Sequence, residues 1–453
     1  MREPQSIRIE ENEQLSRELT SRQLSMIALG GAIGTGLFLG SSLAVHTAGP
    51  GVIVSYLLGA AIAILLMRAL SEMAVAHPTA GSFGVYAGIY LNPWAGFAVR
   101  YTYWAAQCVA IGGEAAAIAI YCQWWFPDTP KWLWILGFTV ALLYVNARSV
   151  GSFGSFEYWF AMIKVVAIVL FILFGLALIV GAKSGHGVGF SNLTAHGGFL
   201  ANGWSGIWMA MVFVIFSYIG TEVVAVTAGE AKDPDIALPK AIRTMAARLI
   251  LFYLCAIVVL LSIVPWNQIQ PGADVTASPF VRVFQFVGVP AAAHVVNFVV
   301  ITAAASSMNC NFYLVSRMMF SLARSGYAPA SWGRVSGVGT PFRALLISAC
   351  GLALAIVIAF FFPDSVFVYM FGISLFGGLF TWLAIFVTHW FFRRKRGMAP
   401  DYGSLLGAAA VFAILITTWA VPGMRVTLIA GLPWIVLLTV CYFLLSKRQQ
   451  ARV

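Results

Sequence analysis

The chain has 453 residues, 60% of them hydrophobic and only 9% charged, with a formal net charge of +11. A mean hydropathy of +0.88 and so low a charged fraction exclude a water-soluble globule, where about a quarter of residues are charged. The longest polar connections, roughly 182–203, 229–243, 266–280 and 324–343, are too short to fold alone, so one all-α membrane domain is expected.

In chain order, residues 1–22 are polar and carry Glu3, Glu10, Glu11, Glu13 and Glu18. No short apolar region with a small-residue cleavage site lies among them, so they read as a cytoplasmic tail rather than a cleaved leader. The first span, Leu24 to Val45, is apolar enough to cross a bilayer but holds Gly30-Gly31-Ala32-Ile33-Gly34-Thr35-Gly36 at its centre. Each glycine costs about 1 kcal/mol relative to alanine in a helix, so this span is expected to break. At bilayer depth a break frees amides and carbonyls, which are tolerated only where they line protein or a cavity. Such groups can grip a zwitterion. Close packing of helices is the alternative, since Gly30 and Gly34 keep a small-xxx-small spacing, but packing leaves Thr35-Gly36 unexplained.

Eleven further apolar stretches centre near residues 62, 108, 139, 168, 216, 254, 303, 353, 378, 412 and 435; a span needs about 20 such residues. In the third span Glu114 follows Gly112-Gly113, as a neutral hydrogen-bonded acid, a proton carrier or a pocket wall. In the fifth, Lys164 is expected about a turn into the span, either snorkelling to the inner interface or buried as an amine that binds and releases a proton. The sixth contains Phe216-Ser217-Tyr218-Ile219-Gly220-Thr221-Glu222, a second glycine break with an acid at mid-membrane. Breaks five spans apart point to an inverted repeat with a midplane site between its halves. The chain then divides into a tail (1–22), a transport core of spans one to ten (23–395), and two peripheral spans with a short C-terminal tail (396–453). Glu72, Glu157 and Glu230 fall near inner helix ends, where a gate or a structural ion pair is expected.

With the N-terminus inside and the spans alternating, all of the 27 Lys and Arg except Lys131, Lys183, Arg282 and Arg425 fall on the inner side. That is a positive-inside distribution. It places both termini in the cytoplasm, explains the run Arg393-Arg394-Lys395-Arg396 as a stop on an inner loop, and leaves no reason to invoke nucleic acid. The six cysteines form no C-x-x-C pair and the six histidines no H-E-x-x-H, so no metal, cofactor or redox motif is implied. No reactive constellation suggests an enzyme.

Several of these stretches resemble one family. Gly30-Gly31-Ala32-Ile33-Gly34-Thr35-Gly36-Leu37-Phe38-Leu39-Gly40 is similar to the first-helix signature of bacterial amino acid permeases, in the amino acid–polyamine–organocation superfamily. The resemblance continues through Pro78-Thr79-Ala80-Gly81-Ser82-Phe83 and through Phe156-Glu157-Tyr158-Trp159-Phe160-Ala161-Met162-Ile163-Lys164-Val165. It takes in the sixth-span break with Gly229-Glu230-Ala231, and Ser316-Arg317-Met318-Met319-Phe320-Ser321-Leu322-Ala323, covering about residues 15–400.

The resemblance implies about 12 transmembrane helices in the leucine-transporter type of fold, two inverted five-helix repeats plus two helices. It implies that a substrate α-carboxylate meets the amides of Thr35, Gly36 and Leu37 at the start of a half-helix. The α-ammonium would meet carbonyls of Ala32, Ile33, Phe216 and Ile219, with Ser217 and Glu114 alongside. In proton-coupled relatives a fifth-helix lysine takes the place of a sodium ion, and Lys164 matches it, with Ser306 and Ser307 expected across from it. Glu114 and Glu222 complete the proton-coupling candidates. Gly113 stands where most relatives carry a bulkier residue and is expected to widen the pocket.

The expectation is therefore a secondary active transporter that imports an amino acid by proton symport and alternating access in a bacterial inner membrane. Exchange of amino acids or polyamines without proton coupling is the alternative. The implied partners are an amino acid, a proton and the lipid bilayer; no oligomeric state follows. The lack of a mid-span arginine disfavours acidic substrates. Neutral aliphatic or aromatic ones are favoured, and cationic ones paired with Glu114 stay open.

Overall fold

The computed structural model describes residue 15 and residues 19–181, 188–230, 234–270, 278–288, 290–361 and 366–450. The first span falls into three pieces, α1 (Ser21–Ala32), α2 (Thr35–Phe38) and α3 (Gly40–Ala48). The second is α4 (Val52–Ala76), followed by a connecting helix, α5 (Ser82–Tyr90). Spans three to five are α6 (Pro93–Gln123), α7 (Lys131–Ala147) and α8 (Val150–Val180). After the short α9 (Asn192–Ala195), the sixth span is split into α10 (Gly203–Tyr218) and α11 (Val223–Val226). The seventh is α12 (Pro234–Ile263), the connecting helix α13 (Pro279–Phe286) follows, and the eighth is α14 (Pro290–Arg324). The ninth is α15 (Phe342–Ser348) with α16 (Cys350–Phe361), and the last three are α17 (Val366–Lys395), α18 (Tyr402–Thr417) and α19 (Val426–Gln450).

Among the described residues, seven helices are long and apolar enough to cross a membrane, and four shorter apolar helices accompany them. With the broken first span they account for the apolar stretches of the sequence, and the all-α membrane architecture is as expected. Local signals set the helix starts. Thr20 and Gln23 form a reciprocal capping box before α1, which satisfies two amides left without helical partners. Asn92 caps α6, whose first residue is Pro93, and Ser149 caps α8.

The core is built around α6, which packs against α14 and α17 and is buried along most of its length. Helix α8 is more peripheral: Trp159, Leu170 and Leu173 are each more than half exposed, as suits a face turned to lipid. One boundary differs from expectation. Helix α8 starts at Val150, so Lys164 lies about four turns in, roughly 20 Å along the axis, and not one. The Gly- and Ser-rich run after Ser149 is helical because it packs tightly: a Cβ on Gly154 would sit 2.9 Å from Leu19 Cδ2. The connection expected at 229–243 is likewise helical from Pro234 onward.

Candidate substrate-binding site

Two interrupted helices meet at the centre of the molecule. Helix α1 stops at Ala32, Ile33 takes φ −87° and ψ 88°, and Gly34 is extended before α2 resumes at Thr35. Helix α10 stops at Tyr218, and Ile219 and Gly220 turn the chain before α11. Gly220 has φ +105°, and a Cβ there would lie 2.5 Å from the Gly31 carbonyl oxygen. Glycine is therefore required twice over, by conformation and by the contact between the two breaks. Gly34 is similarly closed in: a Cβ would fall 2.8 Å from Ser307 Oγ and 2.9 Å from Glu114 Oε1.

The carbonyls freed by the first break are already engaged. Lys164 is wholly buried, and its Nζ donates to the Gly30 and Ile33 carbonyl oxygens at 2.6 and 2.8 Å. It is therefore not a snorkelling side chain. The Tyr253 hydroxyl lies 2.7 Å from the Ala32 carbonyl and 2.8 Å from that of Ser217, so one proton serves an acceptor on each broken span. On the amide side, Leu37 N already donates to Gly34 O. The Thr35 and Gly36 amides, at the start of α2, have no carbonyl of a preceding turn to bond.

The buried acids divide by partner. Glu114 Oε1 accepts from Ser307 Oγ at 2.8 Å, while its Oε2 has no hydrogen-bond partner. Glu222 accepts from the Tyr103 hydroxyl (2.9 Å), the Gly220 amide and Trp382 Nε1 (3.2 Å), which fixes it inside the sixth break. Glu157 accepts from Ser306 Oγ and from Asn309 Nδ2 (3.0 Å). Ser306 and Ser307 thus serve two glutamates, not Lys164. The ion pairs expected at the inner helix ends form at Glu72, with Arg393 at 2.6 Å, where His389 Nε2 also lies within hydrogen-bond reach at 2.9 Å. They form also at Glu230, with Arg317 at 3.0 Å, and the Tyr313 hydroxyl donates to the same carboxylate. Glu157 departs from that expectation because α8 begins earlier than its composition suggests, which carries this acid into the core.

Between the breaks lies a cavity with about 30 Å³ of room, enough for a water or two. It is lined on the broken side by Gly31, Ala32, Gly34, Gly36, Phe216, Ile219 and Gly220. The facing wall comes from α6 (Gln107, Ala110, Glu114), α14 (Ser307, Asn311) and α17 (Ser374). Of the residues singled out in the sequence, Ala32, Gly36, Glu114, Phe216 and Ile219 line it. Ile33, Thr35, Leu37, Ser217, Lys164 and Glu222 stand behind its walls. Gly113 does not reach it: a Cβ there would meet Met370 of α17 at 3.2 Å. Gln107, Asn311 and Ser374 escaped sequence reasoning, although polar residues spaced at helical intervals (Gln107 with Glu114, Ser307 with Asn311) in otherwise apolar spans carry the signal.

A multi-span helical protein whose two unwound helices enclose a small, buried, polar cavity belongs to the class of membrane carriers for small polar solutes. Residues 23–449 match the amino acid permease family model, and the chain belongs to that family. Curated relatives agree. It is 42% identical to the gamma-aminobutyric acid permease of Bacillus subtilis, over 84% of this chain and 81% of the relative. It is 36% identical to the probable threonine/serine transporter YbxG of the same organism, over 98% of each. It is 38% identical to the aromatic amino acid transport protein AroP of Escherichia coli O6:H1, over 97% of this chain and 98% of the relative. These are transporters, not enzymes.

Proposed function

We propose that the protein imports an amino acid together with a proton, by alternating access, across a bacterial cytoplasmic membrane with both termini inside. The relatives are named for different amino acids, so their common denominator is a carboxylate and an ammonium on one small molecule, which the two breaks are suited to hold. The Thr35 and Gly36 amides would take the carboxylate. The carbonyls of Ala32, Ile33, Phe216 and Ile219 would take the ammonium; Ile33 and Phe216 each keep a second lone pair for it, while Ala32, which already accepts from the Tyr253 hydroxyl and the Gly34 amide, would give up one of those bonds. On this reading residues 23–395 are the transport core, arranged as two five-span repeats, and 396–453 are peripheral.

The observation that carries the proton-coupled reading is the placement of Lys164 on the Gly30 and Ile33 carbonyls. A charged amine makes roughly twice as strong a hydrogen bond as a neutral one. Protonation therefore tightens α1 on α8, and proton loss loosens it at the point where α1 breaks. Glu114, with one oxygen on Ser307 and one unpartnered, is the second proton candidate. Glu222 holds three donors, which suits a fixed brace of the sixth break better than a shuttle. One proton moving inward across 100 mV contributes about 2.3 kcal/mol, roughly a fifty-fold accumulation.

In proteoliposomes with an imposed pH gradient, Lys164→Ala is expected to abolish gradient-driven uptake while retaining measurable substrate binding. Full proton-driven uptake by that variant would sink the coupling assignment. Rapid exchange without net proton-driven uptake in the wild type would favour an exchanger.

A further inference from the structure

The cavity wall opposite the two breaks has a chemistry of its own. Gln107, Asn311 and Ser374 come from three different spans and are 3%, 9% and 4% exposed, yet all three line the cavity. Among the described residues no hydrogen bond reaches the side chain of Asn311 or Ser374. Gln107 lies beside the Tyr103 hydroxyl, and Glu114 Oε2 is also without a partner. Buried polar groups are nearly always hydrogen-bonded, and those left unmet destabilise the site. Unmet groups that surround a cavity are groups waiting for a ligand atom or a water.

We propose that this wall selects the substrate side chain, and that it selects a small, neutral side chain bearing a hydrogen-bonding group, a hydroxyl or a carboxamide. The inference rests on the amino acid reading above and names the subclass. Asn311 and Gln107 each offer both a donor and an acceptor, and Ser374 a hydroxyl of either sense, so a neutral partner satisfies them. Among the described residues no cation lines the cavity, and its one ionisable group, Glu114, repels an acidic side chain whenever it is ionised. Phe216, Ile219 and Ala110 supply apolar surface in the same lining, against which a methyl group beside the polar atom can pack.

The discriminating comparison is between isosteres. Threonine and valine differ by a hydroxyl for a methyl, and asparagine and leucine by a carboxamide for an isobutyl end. A site built to hydrogen-bond a hydroxyl rejects the analogue lacking it by large factors; bridging water in a small cavity moderates this, so about tenfold or more is expected. The experiment is competition by each of the twenty amino acids against the best-bound one on purified full-length protein. Threonine or asparagine is expected to bind at least about tenfold tighter than valine or leucine. Ser374→Ala and Asn311→Leu are each expected to shrink that ratio several-fold while valine binding holds or improves. Two variants are used so that one misfolded protein does not decide the matter. Equal or tighter binding of valine, leucine or phenylalanine overturns the inference, as does lysine or arginine binding tightest, or an unchanged ratio in both variants. If none of the twenty binds, the amino acid reading itself falls, and this inference with it.

Discussion

Single residues at the breaks have little latitude. Gly220→Ala places a Cβ against the Gly31 carbonyl and forces a left-handed conformation on a residue that resists it. The strain is roughly 1–3 kcal/mol, and thermal unfolding in detergent should shift downward with loss of uptake. Gly36→Leu is a sharper probe of binding. A side chain there runs into the Phe216 ring and Ser217 Cα, both 3.1 Å from the first added atom. Scintillation proximity should show substrate affinity lost; wild-type affinity would refute the carboxylate site. The glycine run was legible in the sequence because glycine leaves a compositional mark. The groups that answer it were not. Lys164 meets backbone carbonyls, which carry no sequence signature, and Tyr253 is one of 15 tyrosines with nothing local to distinguish it.

Elements are tied together by a few buried contacts. Tyr253, on α12, bridges the end of α1 to the end of α10 through one hydroxyl. Tyr253→Phe removes that bridge, leaving the Ser217 carbonyl short of a donor and the Ala32 carbonyl with the Gly34 amide alone, at about 1–3 kcal/mol for a buried group left unmet. The expected result is a lower melting temperature and slower uptake at unchanged expression. Past the C-terminal end of the sixth span, Glu230 is joined to Arg317 of α14, and its backbone carbonyl accepts from Leu19 N just before α1. Both side chains are essentially inaccessible, so Arg317→Ala strands a buried carboxylate, a loss of about 3–5 kcal/mol. Arg317→Met with Glu230→Leu should recover much of that stability, and a double-mutant cycle on melting temperatures measures the coupling. The pattern of spans made the existence of these helices readable. Their boundaries were less so, since the Gly- and Ser-rich start of α8 reads as loop until its packing against Leu19 is known.

For the molecule as a whole, a cavity with about 30 Å³ of room cannot admit an amino acid as it stands, so on the proposed reading the broken spans part from α6, α14 and α17 to receive one. Cys310 reports on that opening. It is fully buried on α14, with its Sγ 3.9 Å from the Ile27 carbonyl of α1. In a variant keeping only Cys310, maleimide labelling should be slow at rest. It should accelerate several-fold when Glu230→Gln loosens the tie to Arg317; an unchanged rate would separate that tie from opening. Fold class could be read from hydropathy, and the two interrupted helices from their glycines. The side-chain wall could not, because which faces of spans three, eight and ten converge is decided only by packing. One consequence lies in the amine on Gly30 and Ile33. The protein carries, tethered to its own backbone, an alkylammonium of the same kind as the amino group it receives. A truncated Lys164→Gly chain has a vacancy of that shape, and a free primary amine such as n-butylamine should fill it. Dose-dependent recovery of uptake by added amine, strongest for the chain length that restores the missing methylenes, would make this transporter's switch a replaceable part.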